Sequence, residues 1–123
     1  MPIEFHGDDL KLTGVSWDHI LTVHGLEGCD SAMANGWQRK SKWYGDEEQI
    51  KARVNSAFDL FRQHAKSIGT MTLAQDANKR STYDVDTQVQ CGTGRNGVDT
   101  QSVRLVMEIK HSGDTFIVTA FPW

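Results

Sequence analysis

Between Asp46 and Gly69 a single apolar stripe runs through an otherwise polar stretch: Ile50, Val54, Phe58, Phe61, Ala65 and Ile68 recur at intervals of three and four residues. That is the period of an α-helix burying one face, and it excludes both a strand and a solvated linker for this segment. Asp46 suits the N-cap, Gln49 stands at the capping-box position, and Glu47 and Glu48 favour the positive end of the helix dipole. Lys66 in the last turn and Gly69 after it close the helix. A helix this long with one apolar face needs a surface to lie on, so the rest of the chain must supply one.

After Gly69 the period changes to two. MTLAQ (71–75) is a weak strand candidate, and TYDVDTQVQ (82–90) puts Tyr83, Val85, Thr87 and Val89 on one face. SVRLVMEIK (102–110) does the same with Val103, Leu105, Met107 and Ile109. HSGD (111–114) is a turn, and TFIVTAF (115–121) returns as the second strand of a hairpin. The last strand is apolar on nearly both faces, which places it centrally, with neighbours on each side. Ahead of the long helix, Ser16 caps a short helix, WDHILTVH, that Gly25 would end, and residues 25–45 are loop with a helical turn around 31–35. The expectation is an α+β domain, N-terminal helices packed on a C-terminal antiparallel sheet of about four strands. Residues 1–123 form one domain in this reading, with 1–15 a mobile N-terminal segment.

A chain of 123 residues with 38% hydrophobic and 24% charged residues is one globular unit with a real core. No apolar run approaches the roughly 18 residues of a membrane span. The start, MPIEFHGDDLKL, lacks the basic-then-apolar pattern of a secretory signal. A net charge of −3 argues against coating nucleic acid by bulk electrostatics, although a local basic patch stays open. Cys29 and Cys91 lie far apart, outside any CxxC pair; they read as two thiols in a reducing compartment rather than a zinc site, and their pairing stays open.

Such a patch exists in WQRKSKW (37–43), where Arg39, Lys40 and Lys42 sit between Trp37 and Trp43. Arg and Lys pair with phosphate oxygens, and indoles offer stacking faces to unpaired bases. The plainer alternative, compatible with it, is a solvated basic loop whose tryptophans plug the core. His19 and His24 share the preceding segment. Two imidazoles can supply base and acid at neutral pH. Five residues turn an ideal helix by roughly 140°, so both reach one site only if the helix ends near His24. The end of the chain, VTAFPW, places Thr119 and Phe121 on one side of a strand, with a hydroxyl able to donate to a phosphate oxygen. A transition-metal site wants a third ligand beside two histidines, and His6 with Asp8 and Asp9 is the one candidate group, within the N-terminal segment.

Taken together, DHIL (18–21), His24, RKSKW (39–43) and TAFP (119–122) resemble the EndoU-like ribonucleases. More broadly the chain resembles the barnase/EndoU/colicin/RelE superfamily, which includes C-terminal toxin domains of contact-dependent growth inhibition and other polymorphic toxin systems. The resemblance implies His19 and His24 as general base and acid, Lys40 as the phosphate-stabilising lysine, and Thr119 as the threonine of a Thr-x-Tyr pair. In this reading Arg39, Lys42, Trp37, Trp43 and Phe121 are the RNA-contacting residues around that set. Phe121 stands where the family carries tyrosine, so the phenol's role is lost or passes to Tyr44 or Tyr83.

The implied activity is a metal-independent endoribonuclease, needing no cofactor, that acts on tRNA or another RNA. Attack by the ribose 2′-OH would leave a 2′,3′-cyclic phosphate. The resemblance also implies a cognate immunity protein as partner and a toxin domain delivered to the target-cell cytoplasm. The competing expectation is a non-catalytic module that holds RNA or a protein through the same basic loop, or an immunity-type partner protein.

Overall fold

The structure, a computed structural model, describes residues 2–21, 42–94 and 98–123. The capping box at Asp46 forms as the sequence dictates. The Asp46 carboxylate accepts the Gln49 N–H at 2.9 Å, and the Gln49 side chain accepts the Asp46 N–H at 3.0 Å. Helix α2 then runs from Glu47 to Ile68 and buries Ile50, Val54, Ala57, Phe58, Phe61 and Ala65. Each such large side chain contributes about 1.5–3 kcal/mol by leaving water. Ile68 is 52% exposed, so the buried stripe ends one turn short of the helix.

The surface beneath α2 is a sheet of β2 (Lys11–Val15), β9 (Asp114–Pro122), β8 (Ser102–Ile109) and β5 (Ser81–Asp86), in that order. β8 turns Val103, Leu105, Met107 and Ile109 inward, all buried. The last strand is central, flanked by β2 and β8. Its apolar pattern on both faces has a second cause. Val106 pairs with Thr119 and Met107 with Ile117, which leaves Val118 as an extra residue in a bulge. The bulge switches the inward parity from Thr115 and Ile117 to Ala120 and Pro122, all four buried.

Four expectations need correction. The sheet is mixed, because β2 pairs with β9 in parallel. The long helix is mid-chain, and two strands precede it. Residues 3–15, expected as a mobile lead-in, form β1 (Ile3–His6), a 3-10 turn (Gly7–Asp9) and β2. β1 buries Ile3 and Phe5 while pairing antiparallel with β4 (Thr70–Leu73), and Phe5 meets Phe61 edge-on at 6.3 Å. The alternation was present in IEFH, but four residues are too few to separate a strand from an irregular end. Finally, the strand expected over 82–90 stops at Asp86; Gln88 has φ 60° and Val89 is 63% exposed.

The remaining described elements are short. α1 covers Trp17–His19, and β3 (Lys42–Trp43), β6 (Gly92–Thr93) and β7 (Asp99–Thr100) form a small sheet. Two contacts orient the whole. Gly7 donates its N–H to the Gly69 carbonyl at 2.7 Å, and a Cβ at Gly7 would lie 2.2 Å from the Ala65 carbonyl oxygen. The turn before β2 therefore presses on the carboxyl end of α2. At the far end of β2, the Lys51 ammonium lies over the Trp17 ring at 5.6 Å, beside the amino end of α2. No helix among the described residues is long and apolar enough to cross a membrane.

Candidate functional site

Parallel strands bring their carboxyl ends to the same side, and β2 and β9 do so at the amino end of α2. Val15 pairs with Ile117, and the Ser16 N–H continues the ladder to the Ile117 carbonyl at 2.9 Å. Beyond that rung β2 turns into α1, which carries His19, while β9 continues to Thr119. His19 is exposed, whereas its neighbour Ile20 is fully buried in the core. The segment is thus anchored by the isoleucine and presents the imidazole to solvent.

Thr119 lies opposite Val106, on the sheet face turned away from α2, since the inward set on β8 is Val103, Leu105 and Met107. Its hydroxyl is buried and has no hydrogen-bond partner among the described residues. Such a group costs about 1–3 kcal/mol, and native structures carry few of them.

The basic stretch re-enters the described structure at this same end. β3 sets Trp43, fully buried, against β9, where the indole N–H donates to the Ala120 carbonyl at 3.2 Å. That burial corrects one expectation: Trp43 plugs the core and has no face to offer a base. Lys42 contributes backbone to β3, pairing with Thr93. His24, Trp37, Arg39 and Lys40 lie outside the described residues.

Phe121 occupies the outer face with Thr119, opposite Arg104, and meets Trp123 edge-on at 5.7 Å. The Arg104 guanidinium lies over the Trp123 ring at 3.9 Å and forks onto Asp84 at 2.8 and 2.9 Å. That pairing holds the guanidinium's pKa above its ordinary value. Sequence reasoning missed this cluster. Asp84 and Arg104 face one another only once the β5–β8 register is known, although the opposite charges on two alternating strands were a usable signal.

The two tyrosines considered as proton carriers part company. Tyr83 packs its ring against Phe61 at 4.8 Å, under α2 and two strands away from β9. Tyr44 follows Trp43 directly, and its hydroxyl donates to the Asp99 carboxylate. That hydrogen bond, with some burial, raises the phenol's pKa. Among the described residues no group of three or more metal-ligating side chains assembles, and His6 instead accepts the Asp8 N–H at 3.3 Å. Compared with family models, curated proteins and solved structures, the chain has no significant match.

Proposed function

We propose that this protein is a metal-independent endoribonuclease whose site lies at the carboxyl ends of β2 and β9. The observation that carries the reading is the parallel β2–β9 pairing, which brings the start of the His19 segment and the strand that carries Thr119 to one end of the sheet. Trp43, hydrogen-bonded to Ala120, brings the trailing end of the Arg39–Lys42 stretch to the same place. Lys40 is three residues from Trp43, a span of at most about 11 Å of extended chain. The unpartnered Thr119 hydroxyl supports the reading too, because a phosphate oxygen would satisfy it.

In this mechanism one imidazole removes the proton of a ribose 2′-OH, and the freed oxygen attacks the adjacent phosphorus. The P–O5′ bond breaks, a second proton carrier protonates the departing 5′-oxygen, and a 2′,3′-cyclic phosphate is left. His19 takes one of these roles; His24 or the Tyr44 phenol takes the other. Lys40, with Arg39 and Lys42, stabilises the charge that grows on the phosphorane, where preorganised electrostatics contribute most. Phe121, beside Thr119, and Trp37 are the remaining stacking candidates. DNA lacks the 2′-OH and is not a substrate.

The resemblance to toxin domains adds a partner and a setting. An acidic immunity protein would cover the basic stretch, in keeping with charge complementarity at such interfaces. The decisive experiment incubates the protein with total RNA in EDTA, alongside His19→Ala, and analyses the product ends. Cyclic phosphates that disappear in the variant bear the proposal out. RNA bound but left intact identifies a non-catalytic module, and a requirement for added metal excludes the mechanism.

A further inference from the structure

Away from β9, a cavity of ≈ 280 Å³ lies where α2 faces the segment from Thr87 to Cys91. Its walls include Ala52, Arg53, Ser56 and Leu60 of α2 and, across from them, Val89 and Cys91. The lining is mostly carbon, and two large apolar side chains there stay in contact with water, Leu60 at 38% and Val89 at 63% exposure. The cation in this wall is Arg53, half-buried, whose guanidinium donates to the Tyr44 carbonyl. No carboxylate among the described residues pairs with it. A carbonyl satisfies one N–H but leaves the charge uncompensated, and a partly buried charge without a counter-ion is costly. The charge is felt inside the cavity: it pulls the Cys91 thiol toward ionisation, against the burial that raises its pKa.

The geometry points to a binding site for a small, largely apolar carboxylate. The carboxylate receives the fork of Arg53, with the Ser56 hydroxyl on the next turn of the same helix within reach as a further donor. The hydrocarbon body lies against Ala52, Leu60 and Val89. The volume sits just below the roughly 300–1,000 Å³ of pockets for drug-sized ligands, which fits one ring or a short chain and is too small for a nucleotide. The site does not depend on the ribonuclease reading. Its walls include neither His19 nor Thr119, and either idea can fail alone.

Benzoate and its uncharged isostere benzamide test the site by methyl NMR of the full chain. Benzoate is expected to shift the Leu60 and Val89 methyl resonances, with benzamide binding about 10–100-fold more weakly, the factor expected for a hydrogen bond to a charged group. Arg53→Gln should bring the two ligands to similar affinity. Ser56→Leu, at an exposed helix position, should narrow the cavity, remove the hydroxyl donor and weaken the benzoate shifts. Absence of shifts in the wild type overturns the proposal. So does benzoate binding left unchanged by Ser56→Leu, or charge discrimination that persists in Arg53→Gln. Should Arg53→Gln fail to fold, the wild-type comparison and Ser56→Leu decide between these outcomes.

Discussion

The indole N–H of Trp43 donates to the carbonyl of Ala120 across 3.2 Å, joining the strand that ends the basic stretch to the strand that carries Thr119. The two residues are 77 positions apart, and both are fully buried. Trp43→Phe should lose the hydrogen bond and some volume, costing about 1–2 kcal/mol, whereas Trp43→Ala should cost about 3–5 kcal/mol. Urea denaturation measures both. If the basic stretch serves β9, Trp43→Phe should also slow RNA cleavage while the protein remains folded.

His19 is exposed on an anchored segment, so His19→Ala should leave stability within about 0.5 kcal/mol of wild type. RNA cleavage should fall by about 10²–10⁴-fold, the usual contribution of a general acid or base. Equal rates for the two proteins would remove His19 from the mechanism.

Thr119→Val exchanges a buried, unpartnered hydroxyl for a methyl group of similar size. Stability should be unchanged or rise by up to about 1 kcal/mol, because the desolvated oxygen is gone. Cleavage should slow by about 10-fold or more through loss of a hydrogen bond to a charged group. A marked loss of stability would instead show that the hydroxyl has a structural partner.

The capping box at Asp46 satisfies two N–H groups at the start of the helix that covers the sheet. Asp46→Ala should therefore cost about 1 kcal/mol, read as a lower denaturation midpoint with unchanged slope.

Alkaline stability tests the buried thiol. Burial raises the Cys91 pKa above its ordinary 9.0, partly offset by Arg53. The folded state then holds its proton where the unfolded chain has lost it. The thiol's contribution is complete below pH 9 and declines as pH rises through the folded value. Cys91→Ala should flatten the fall of stability above that pH, and an unchanged slope would assign the fall to other groups. Tyr44, raised chiefly by its hydrogen bond to Asp99, acts in the same direction at higher pH.

Helix α2 was legible nearly to the residue, because both its stripe and its caps are encoded within a few positions of one another. The β8–β9 hairpin was legible for the same reason: alternation and the Gly113 turn are local signals. β1 and β2 were not, since strands of four and five residues carry too little periodicity to stand out from an irregular lead-in. Of the site residues, Trp43 shows the limit most clearly. An indole beside three cations looks equally suited to stacking on a base and to filling a core, and only the position of Ala120 decides in favour of the core.

By itself the sequence determined what depends on near neighbours: the helix and its boundaries, the alternating strands, the central place of TFIVTAF, and the side chains available for chemistry. Tertiary structure alone decided that β2 runs parallel to β9, that Val118 bulges, and that His19 and Thr119 therefore come to the same end of the sheet. The physical reason is that strand pairing joins residues about a hundred positions apart through backbone groups common to every residue, so no side-chain pattern along the chain specifies which strand will lie beside which.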